Sequence, residues 1–311
     1  MMIRLSLAAL LLSATTALAY PVTVKSCDRE VTFDAAPAKA ISNDVNLTEM
    51  MLVLGLRDRM VGYTGISGWK TLDEEMRAGV AELPELSAKY PTKEVLAEAE
   101  PDFFFAGWNY GMKVGGEVTP ETLAPFGIAV YELTESCIHI SPKAKSSMDD
   151  MYNDILNLGR IFGVEAKAEE LVEGWQAQLA EATEGVDRSK PLRVFVYDSG
   201  EEAPFTAGAY AMPTAMIEAA GGVNIMDYLE KSWAEIGWEP VVERNPEVVV
   251  IVNYGDVTAE QKIAFMKENP AFAGIDAVKN DRFVVLEYVE ATPGPRNIKA
   301  VEKLVSGFWG Q

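Results

Sequence analysis

The chain has 311 residues, which suits two domains of ordinary size, each with a substantial core. Its net charge of −20 excludes the basic surface that binding to nucleic acid or to anionic lipid requires. Such an excess of acidic residues is typical of a solvated surface that keeps a folded protein soluble and monomeric.

The first 19 residues have the features of a cleaved export signal. Arg4 provides a positive charge, an apolar stretch follows at 5–12, and small residues at 17–19 form a cleavage site. The apolar stretch is too short to span a bilayer. We therefore expect a mature protein that begins at Tyr20, free in the periplasm. We expect no lipid anchor, because no cysteine follows the cleavage site.

The two cysteines, Cys27 and Cys137, are an even number in an oxidising compartment, which favours a disulfide. Only one pairing is possible, and it would connect the N-terminal strand to a loop more than 100 residues later. A metal site is the alternative, because Cys137 and His139 are spaced as two ligands on one face of a strand. No third or fourth ligand stands nearby, so the pattern favours the disulfide.

The elements predicted after the export signal alternate between strands and helices. A hairpin at 20–33 comes first, and a short helix that ends at Gly55 follows it. Strands and helices then alternate as far as residue 132. This alternation predicts an α/β fold with a mainly parallel sheet and helices on both faces.

The pattern changes at residues 146–185. The strand signal disappears there, and apolar residues at three- and four-residue steps predict a long connecting helical segment with a break at Gly163. Alternation of strands and helices then resumes at 192–197. We therefore predict an N-terminal lobe at 20–145 and a C-terminal lobe at 186–311.

One sequence motif occurs twice, and the two copies align without a gap at an offset of 145 residues. Residues 94–106 align with residues 239–251. Each copy is predicted to be a short helix that ends at a proline, followed by a buried strand. The alignment pairs Glu94 with Glu239, so two similar lobes would each present a glutamate at an equivalent helix start.

Sequence motifs of common enzymes are missing. The chain contains no GxxxxGK phosphate loop, no HExxH motif and no GxSxG motif. The single histidine, His139, falls in a predicted apolar strand, which favours a structural role over that of a catalytic base. The sequence therefore favours a binding protein over an enzyme.

Seven segments have the order and spacing of a known protein family: 22–33, 48–62, 94–102, 204–208, 220–224, 233–239 and 295–296. Over nearly all of the mature chain they resemble the periplasmic substrate-binding proteins of ABC importers for metal chelates. That class serves ferric siderophores, haem and cobalamin. The resemblance implies two Rossmann-like lobes with mainly parallel sheets, joined by a long connecting helix, with the ligand cleft between the lobes. It implies a bound chelate as the ligand and no intrinsic cofactor.

The resemblance also gives the repeated glutamates a role. In this family one glutamate from each lobe docks into arginine pockets of the permease, and Glu94 and Glu239 occupy those positions. Two carboxylates held apart on rigid lobes can each accept a bidentate arginine. The alternative is that each only complements the dipole at a helix start. The implied partners are the transmembrane permease subunits with their ATPase.

Loops at the carboxyl ends of strands are expected to form the cleft, because open α/β sheets bind ligands there. Aromatic residues suit a large, partly apolar chelate, and Arg296 and Lys89 could meet its anionic donor atoms. Core packing is the alternative for each aromatic residue taken singly. The candidates that match family cleft positions best are Trp108, Trp233 and Arg296, and the others are Asn43, Tyr63, Trp69, Lys89, Tyr90, Tyr110, Phe205, Tyr210 and Tyr288.

A preassembled chelate is favoured over a bare metal ion, because direct coordination needs several His, Cys or carboxylate side chains in the cleft and the chain has one histidine. A ferric siderophore-type complex is the leading hypothesis. Cobalamin comes next, followed by haem, which a tyrosine could hold, or a metal oxyanion. From other classes, a secreted two-lobed enzyme or a ligand sensor would share the same fold.

Overall fold

The computed structural model describes residues 20–68, 70 and 72–310. The predicted export signal at 1–19 and the candidate ligand residue Trp69 lie outside the described residues. Within those ranges, every helix is too short or too polar to traverse a lipid bilayer.

The first lobe begins with the predicted hairpin, in which β1 (Val22–Ser26) pairs antiparallel with β2 (Arg29–Phe33). Its main sheet consists of β3 (Ala40–Asn43), β4 (Met60–Thr64), β5 (Glu85–Ser87), β6 (Phe103–Trp108), β7 (Gly111–Met112) and β8 (Ala129–Glu132). The strand order is β5-β4-β3-β6-β7, with β8 also paired to β6, and all of these ladders are parallel.

Four short helices connect these strands: α1 (Val45–Val53), α2 (Glu74–Gly79), α3 (Lys93–Ala99) and α4 (Pro120–Leu123). The central strand β6 is buried along its whole length, as expected for a strand with helices on both faces of its sheet. Its side chains alternate between two cores. Phe103 and Phe105 face one core, whereas Phe104, Ala106 and Trp108 face the other.

The connecting segment consists of two helices, α5 (Met148–Phe162) and α6 (Glu165–Ala182). The predicted break at Gly163 is present, so the connection consists of two consecutive helices rather than one continuous helix. Gly163 ends α5 in the left-handed conformation, with a φ of 71°, which glycine adopts without steric cost. The two helices pack closely, because a Cβ atom placed on Gly159 would lie only 2.5 Å from the Cβ of Ala168.

The second lobe contains the strands β9 (Leu192–Tyr197), β10 (Phe205–Ala207), β11 (Gly222–Asn224), β12 (Trp233–Glu235), β13 (Val248–Asn253) and β14 (Phe283–Glu287). Four of them form a parallel sheet in the order β11-β9-β13-β14, and β10 pairs antiparallel with β12. The helices are α7 (Met212–Ala219), α8 (Glu239–Arg244), α9 (Ala259–Glu268), α10 (Asp276–Lys279), α11 (Tyr288–Ala291) and α12 (Asn297–Trp309). The predicted α/β class with two mainly parallel sheets is confirmed.

The sequence repeat is also a structural repeat. Helices α3 and α8 end at aligned positions, and each is followed by a left-handed residue, Glu100 with a φ of 47° and Asn245 with a φ of 45°. The buried strands β6 and β13 then begin and end at aligned residues. Because positive φ angles are uncommon outside glycine, their occurrence at equivalent positions indicates one structural unit used in both lobes.

The predicted disulfide between Cys27 and Cys137 is present, with Cα atoms 5.1 Å apart. It joins the turn between β1 and β2 to the 3-10 helix Thr134–His139. Because the sulfur of Cys137 is bonded to Cys27, the alternative metal site with His139 is wrong. The strand predicted around His139 is wrong as well, since these residues form a 3-10 helix.

Candidate ligand-binding site

A cavity of about 290 Å³ lies between the two lobes. Its lining comes from the first lobe with Asn109, Tyr110 and His139, and from the second with Asp198, Phe205, Ser232, Trp233, Val252, Tyr254, Tyr288, Ala291 and Thr292. A second cavity of about 510 Å³ shares Asn109 and extends along the first lobe. Concave, mostly apolar cavities of this size are typical of small-molecule sites.

Chain topology places this lining at one edge of the sheets. Asn109 follows β6, Asp198 follows β9, Tyr254 follows β13 and Tyr288 follows β14. The carboxyl ends of parallel strands meet at the same edge of a sheet, and ligands of open α/β sheets bind there. The cavity therefore occupies the position that the fold class favours for a ligand.

Aromatic rings form much of the cavity wall. Phe205 on β10 stacks on Trp233 on β12, with ring centroids 5.8 Å apart and planes 17° apart. Tyr254 lies against Tyr288 with centroids 5.2 Å apart. The exposed faces of such rings offer a large apolar contact area at low cost in side-chain entropy.

The carboxylate of Asp198 is the charged group on the cavity wall. Its Oδ1 atom accepts hydrogen bonds from the hydroxyl groups of Ser199 and Tyr254, both at 2.9 Å. Burial raises the pKa of Asp198, whereas these two hydrogen bonds and the nearby Lys262 ammonium act to lower it. The two donors hold the carboxylate in a fixed orientation at the carboxyl end of β9.

Two polar contacts join the lobes next to the cavity. The Tyr288 hydroxyl donates to Asp44 Oδ2 at 3.0 Å, and the Lys70 ammonium pairs with the same oxygen and lies over the Tyr288 ring. On another side, the Ser232 hydroxyl donates to Oε1 of the buried Glu135 at 2.8 Å. Burial raises the pKa of Glu135 to about 8, so this carboxyl is mostly protonated at neutral pH.

We call the 290 Å³ cavity between the lobes the main cavity and the 510 Å³ cavity beside it the adjoining cavity. Four of the candidate ligand residues line the main cavity: Tyr110, Phe205, Trp233 and Tyr288. Lys89 and Tyr90 line the adjoining cavity, where the Tyr90 hydroxyl donates to the carbonyl oxygen of Asn109. These six residues stay candidates for contact with a ligand.

Other candidates lie elsewhere. Trp108 is 6% exposed and donates from Nε1 to Glu132 Oε1 at 2.8 Å, inside the core of the first lobe. Tyr63 is also buried in that core. Asn43 is fully buried and accepts a hydrogen bond from Thr64, while Tyr210 does not contribute to the cavity lining.

Arg296 is paired with two carboxylates at the junction of the lobes. Its Nε atom donates to Glu49 Oε1 at 2.6 Å, and its Nη1 atom pairs with Asp73. These contacts, rather than anionic donor atoms of a ligand, occupy the guanidinium group. Arg296 does not line this cavity but lines a separate one of about 250 Å³, so its contact with a ligand stays a prediction.

We expect Arg296→Met to lower the free energy of unfolding by about 3 kcal/mol at pH 7, because it leaves the buried Glu49 without a counter-ion. Burial raises the pKa of Glu49, and Arg296 opposes that rise. Without Arg296 the Glu49 pKa rises further, so the loss should be largest at neutral pH and shrink towards pH 4. Urea denaturation at both pH values measures this change.

Lys267→Met is the matched control for this prediction. Lys267 pairs with Asp281 at 2.9 Å, but both side chains are about half exposed or more. Exposed ion pairs contribute roughly 0–1 kcal/mol, so the control should have a small, pH-independent effect. Equal losses in the two variants would contradict the buried pair at Arg296.

The sequence analysis missed several lining residues, among them Asp198, Tyr254 and His139. Asp198 directly follows a predicted strand and Tyr254 lies two residues beyond another, so the rule that selected Trp108 and Tyr288 also selects them. His139 was assigned to a strand and given a structural role. It is instead exposed on the cavity wall, with its Nε2 atom 3.2 Å from the side-chain amide of Asn109.

With this geometry established, comparison with known proteins identifies the family. The family model described as Periplasmic binding protein matches residues 42–289, which include nearly all of the two main sheets and ten of the twelve residues that line the cavity between the lobes. The chain belongs to the periplasmic binding protein family.

Relatives of this binding protein align over nearly its whole length. An uncharacterized ABC transporter substrate-binding lipoprotein, YvrC of Bacillus subtilis (strain 168), is 23% identical over 93% of this chain and 86% of its own. A cobalamin-binding protein of Halobacterium salinarum (strain ATCC 29341 / DSM 671 / R1) is 24% identical over 95% of this chain and 76% of its own. A solved structure from Saccharomonospora viridis DSM 43017, described as an ABC-type Fe3+-hydroxamate transport system, has a TM-score of 0.79 and 24% identity, covering 93% of this chain and 99% of that one.

Proposed function

We propose that this binding protein captures a metal chelate in the cavity between its lobes and delivers it to an ABC permease. The cavity itself is the observation that carries the proposal. It is lined by both lobes and by aromatic rings at the carboxyl ends of parallel strands. The names of the relatives, which include a cobalamin-binding protein and an ABC transporter substrate-binding lipoprotein, support the same class of ligand and partner.

The proposed ligand is a preassembled chelate rather than a bare metal ion. In the ranges that the structure describes, no three His, Cys, Asp or Glu side chains are grouped as direct metal coordination would need. A ferric siderophore-type complex is the first candidate and cobalamin the second. Haem is a third, with the exposed His139 or a cavity tyrosine as a possible axial ligand.

Native mass spectrometry tests this proposal with a panel of ferric hydroxamate, catecholate and citrate complexes, cobalamin and haem. A one-to-one complex with any of them supports capture of a chelate. If none binds, the proposed class of ligand is wrong.

The intact mass of the protein purified from the periplasm tests the proposed location. We expect a chain that begins at Tyr20 and carries no lipid. A lipid adduct, which the name of YvrC suggests for that relative, would contradict the proposed absence of an anchor.

We further propose that Glu94 and Glu239 dock onto the permease. Both side chains are exposed, and each lies in the first turn of the repeated short helix, α3 or α8. The start of α3 is already capped by Thr92, whose hydroxyl accepts from the backbone N–H of Val95 at 3.3 Å. Glu94 is therefore not needed as the cap, and its carboxylate can pair with an arginine of a partner.

The double variant Glu94→Arg and Glu239→Arg should lose uptake at least tenfold and keep its affinity for the chelate, because the glutamates lie outside the cavity. Transport of a radiolabelled chelate into cells that carry the permease measures the first effect, and calorimetry measures the second. Glu169→Arg with Glu181→Arg, on the exposed face of α6, makes the same change in net charge and should keep uptake. Normal uptake in the Glu94→Arg, Glu239→Arg variant would contradict the proposal that these residues dock onto the permease.

A further inference from the structure

The described lining of the main cavity contains an acidic side chain, the carboxylate of Asp198, and no lysine or arginine. Both of the hydrogen bonds that hold Asp198 fall on Oδ1, so among the described residues Oδ2 has no donor. The wall thus presents a carboxylate oxygen without a donor; the Lys262 ammonium interacts electrostatically with Asp198 but is not among the lining residues.

Basic residues near the cavity are committed to protein partners. Lys70 is paired with Asp44, and its side chain is only 5% exposed. Lys262 is buried, and its ammonium group donates to the carbonyl oxygen of Val252 at 2.6 Å. Arg296 is held by Glu49 and Asp73. An anionic ligand in the main cavity would therefore lose hydration without gaining a cationic partner.

The aromatic lining adds to this asymmetry. The faces of Phe205 and Trp233 carry negative quadrupole charge, which attracts cations and repels anions, whereas Lys262 and Lys70 already lie over the rings of Tyr254 and Tyr288. The adjoining cavity differs, because Lys89, Lys113 and Glu117 lie on its wall.

Resting on the proposed function, we infer that the main cavity selects chelates of zero or positive net charge, with Asp198 accepting a hydrogen bond from an amine or amide group of the ligand. Anionic chelates, such as ferric citrate, ferric catecholates and haem with its ionised propionates, are disfavoured. Neutral or cationic ferric hydroxamates and uncharged corrinoids meet the requirement. Asp198 is thus assigned as a specificity-determining residue.

A charge series on one chelate provides the test. Ferrioxamine B is singly positive because of its terminal amine, its N-acetyl derivative is neutral, and its N-succinyl derivative is singly negative. Isothermal calorimetry with these three complexes, and with cyanocobalamin and its monocarboxylate, should give the tightest binding for the most positive member. We expect an affinity ratio of about tenfold or more between the positive and negative ferrioxamines.

The variant Asp198→Asn should reduce that ratio to about threefold or less, because Asn keeps the acceptor for Tyr254 and Ser199 but removes the charge. Glu235→Gln, at an exposed position outside the cavity lining, is the control and should keep the ratio.

The order of affinities in the unchanged protein tests the inference even if the Asp198 variant folds poorly. Tightest binding of the negative member would overturn this inference and leave the proposed function intact. No binding of either series, with no binding in the wider panel, would overturn the proposed function itself.

Discussion

Replacing Cys27 and Cys137 together with serine should lower the free energy of unfolding by about 4–5 kcal/mol. The disulfide closes a loop of 110 residues, and in the chain-entropy model a loop of that length restricts the unfolded state by this amount. The hairpin that carries Cys27 has a second anchor. Ser26 and Arg29 both donate to the buried carboxylate of Glu132, at 2.8 and 2.6 Å. We therefore expect the folded variant to keep its structure and to bind the chelate within threefold of the original affinity.

Guanidinium denaturation of the oxidised protein, the reduced protein and the double variant measures this effect. The chain has two cysteines, so a reductant acts on this bond alone, and the reduced protein should match the double variant. The double variant is its own control, since its stability should not respond to the reductant. A loss below about 1 kcal/mol would show that the chain-entropy account does not apply to this loop.

The second large effect concerns pH and the buried carboxyl of Glu135. Its pKa is raised to about 8 in the folded protein, first by burial, and it would titrate near 4.5 in the unfolded chain. Between these values the unfolded state releases a proton that the folded state keeps, so stability falls as pH rises from about 4.5 to 8. We expect Glu135→Gln to remove this loss and to be more stable than the unchanged protein by roughly 4 kcal/mol at pH 8.

Urea denaturation of both proteins at pH 4, 6 and 8 checks the sign as well as the size. At pH 4 the carboxyl is protonated in both states, so the two proteins should have similar stability. Glu98→Gln, on an exposed turn of α3, is the control and should change the free energy of unfolding by less than about 1 kcal/mol. A variant that is less stable than the original at pH 8 would contradict a protonated Glu135 at the contact with Ser232.

Much of the fold follows from local sequence signals. The proline after each repeated helix and the run of apolar residues after it are local features, and they place α3, β6, α8 and β13 within a few residues of their observed bounds. The left-handed caps at Glu100 and Asn245 could not be predicted in the same way. Nothing in the sequence marks the positive φ angle at Glu100, whereas Asn245 carries a weak signal, because asparagine adopts this conformation more readily than most residues.

The candidate site was only partly predictable, because position at a strand end does not determine where a side chain points. Trp108 ends β6, but strand parity puts it on the same face as Phe104 and Ala106, in the core. Tyr110 lies two residues later, beyond the strand end, where the chain has turned and its ring lines the cavity. Because Tyr110 has the same parity as Trp108, only the turn after β6 separates the cavity residue from the core tryptophan.

The sequence by itself determined the α/β class, the repeated unit in each lobe and the single possible cysteine pairing, because these depend on periodicity, on proline and on a count of residues. The tertiary structure alone decided which charges face the cavity. Arg296 looks available in the sequence, but Glu49 and Asp73, more than 200 residues away, neutralise it. Asp198 looks ordinary in the sequence, yet folding brings it to an aromatic cavity whose described lining contains no lysine or arginine. Electrostatic interactions depend on distances through space, and only the packing of the two lobes sets those distances.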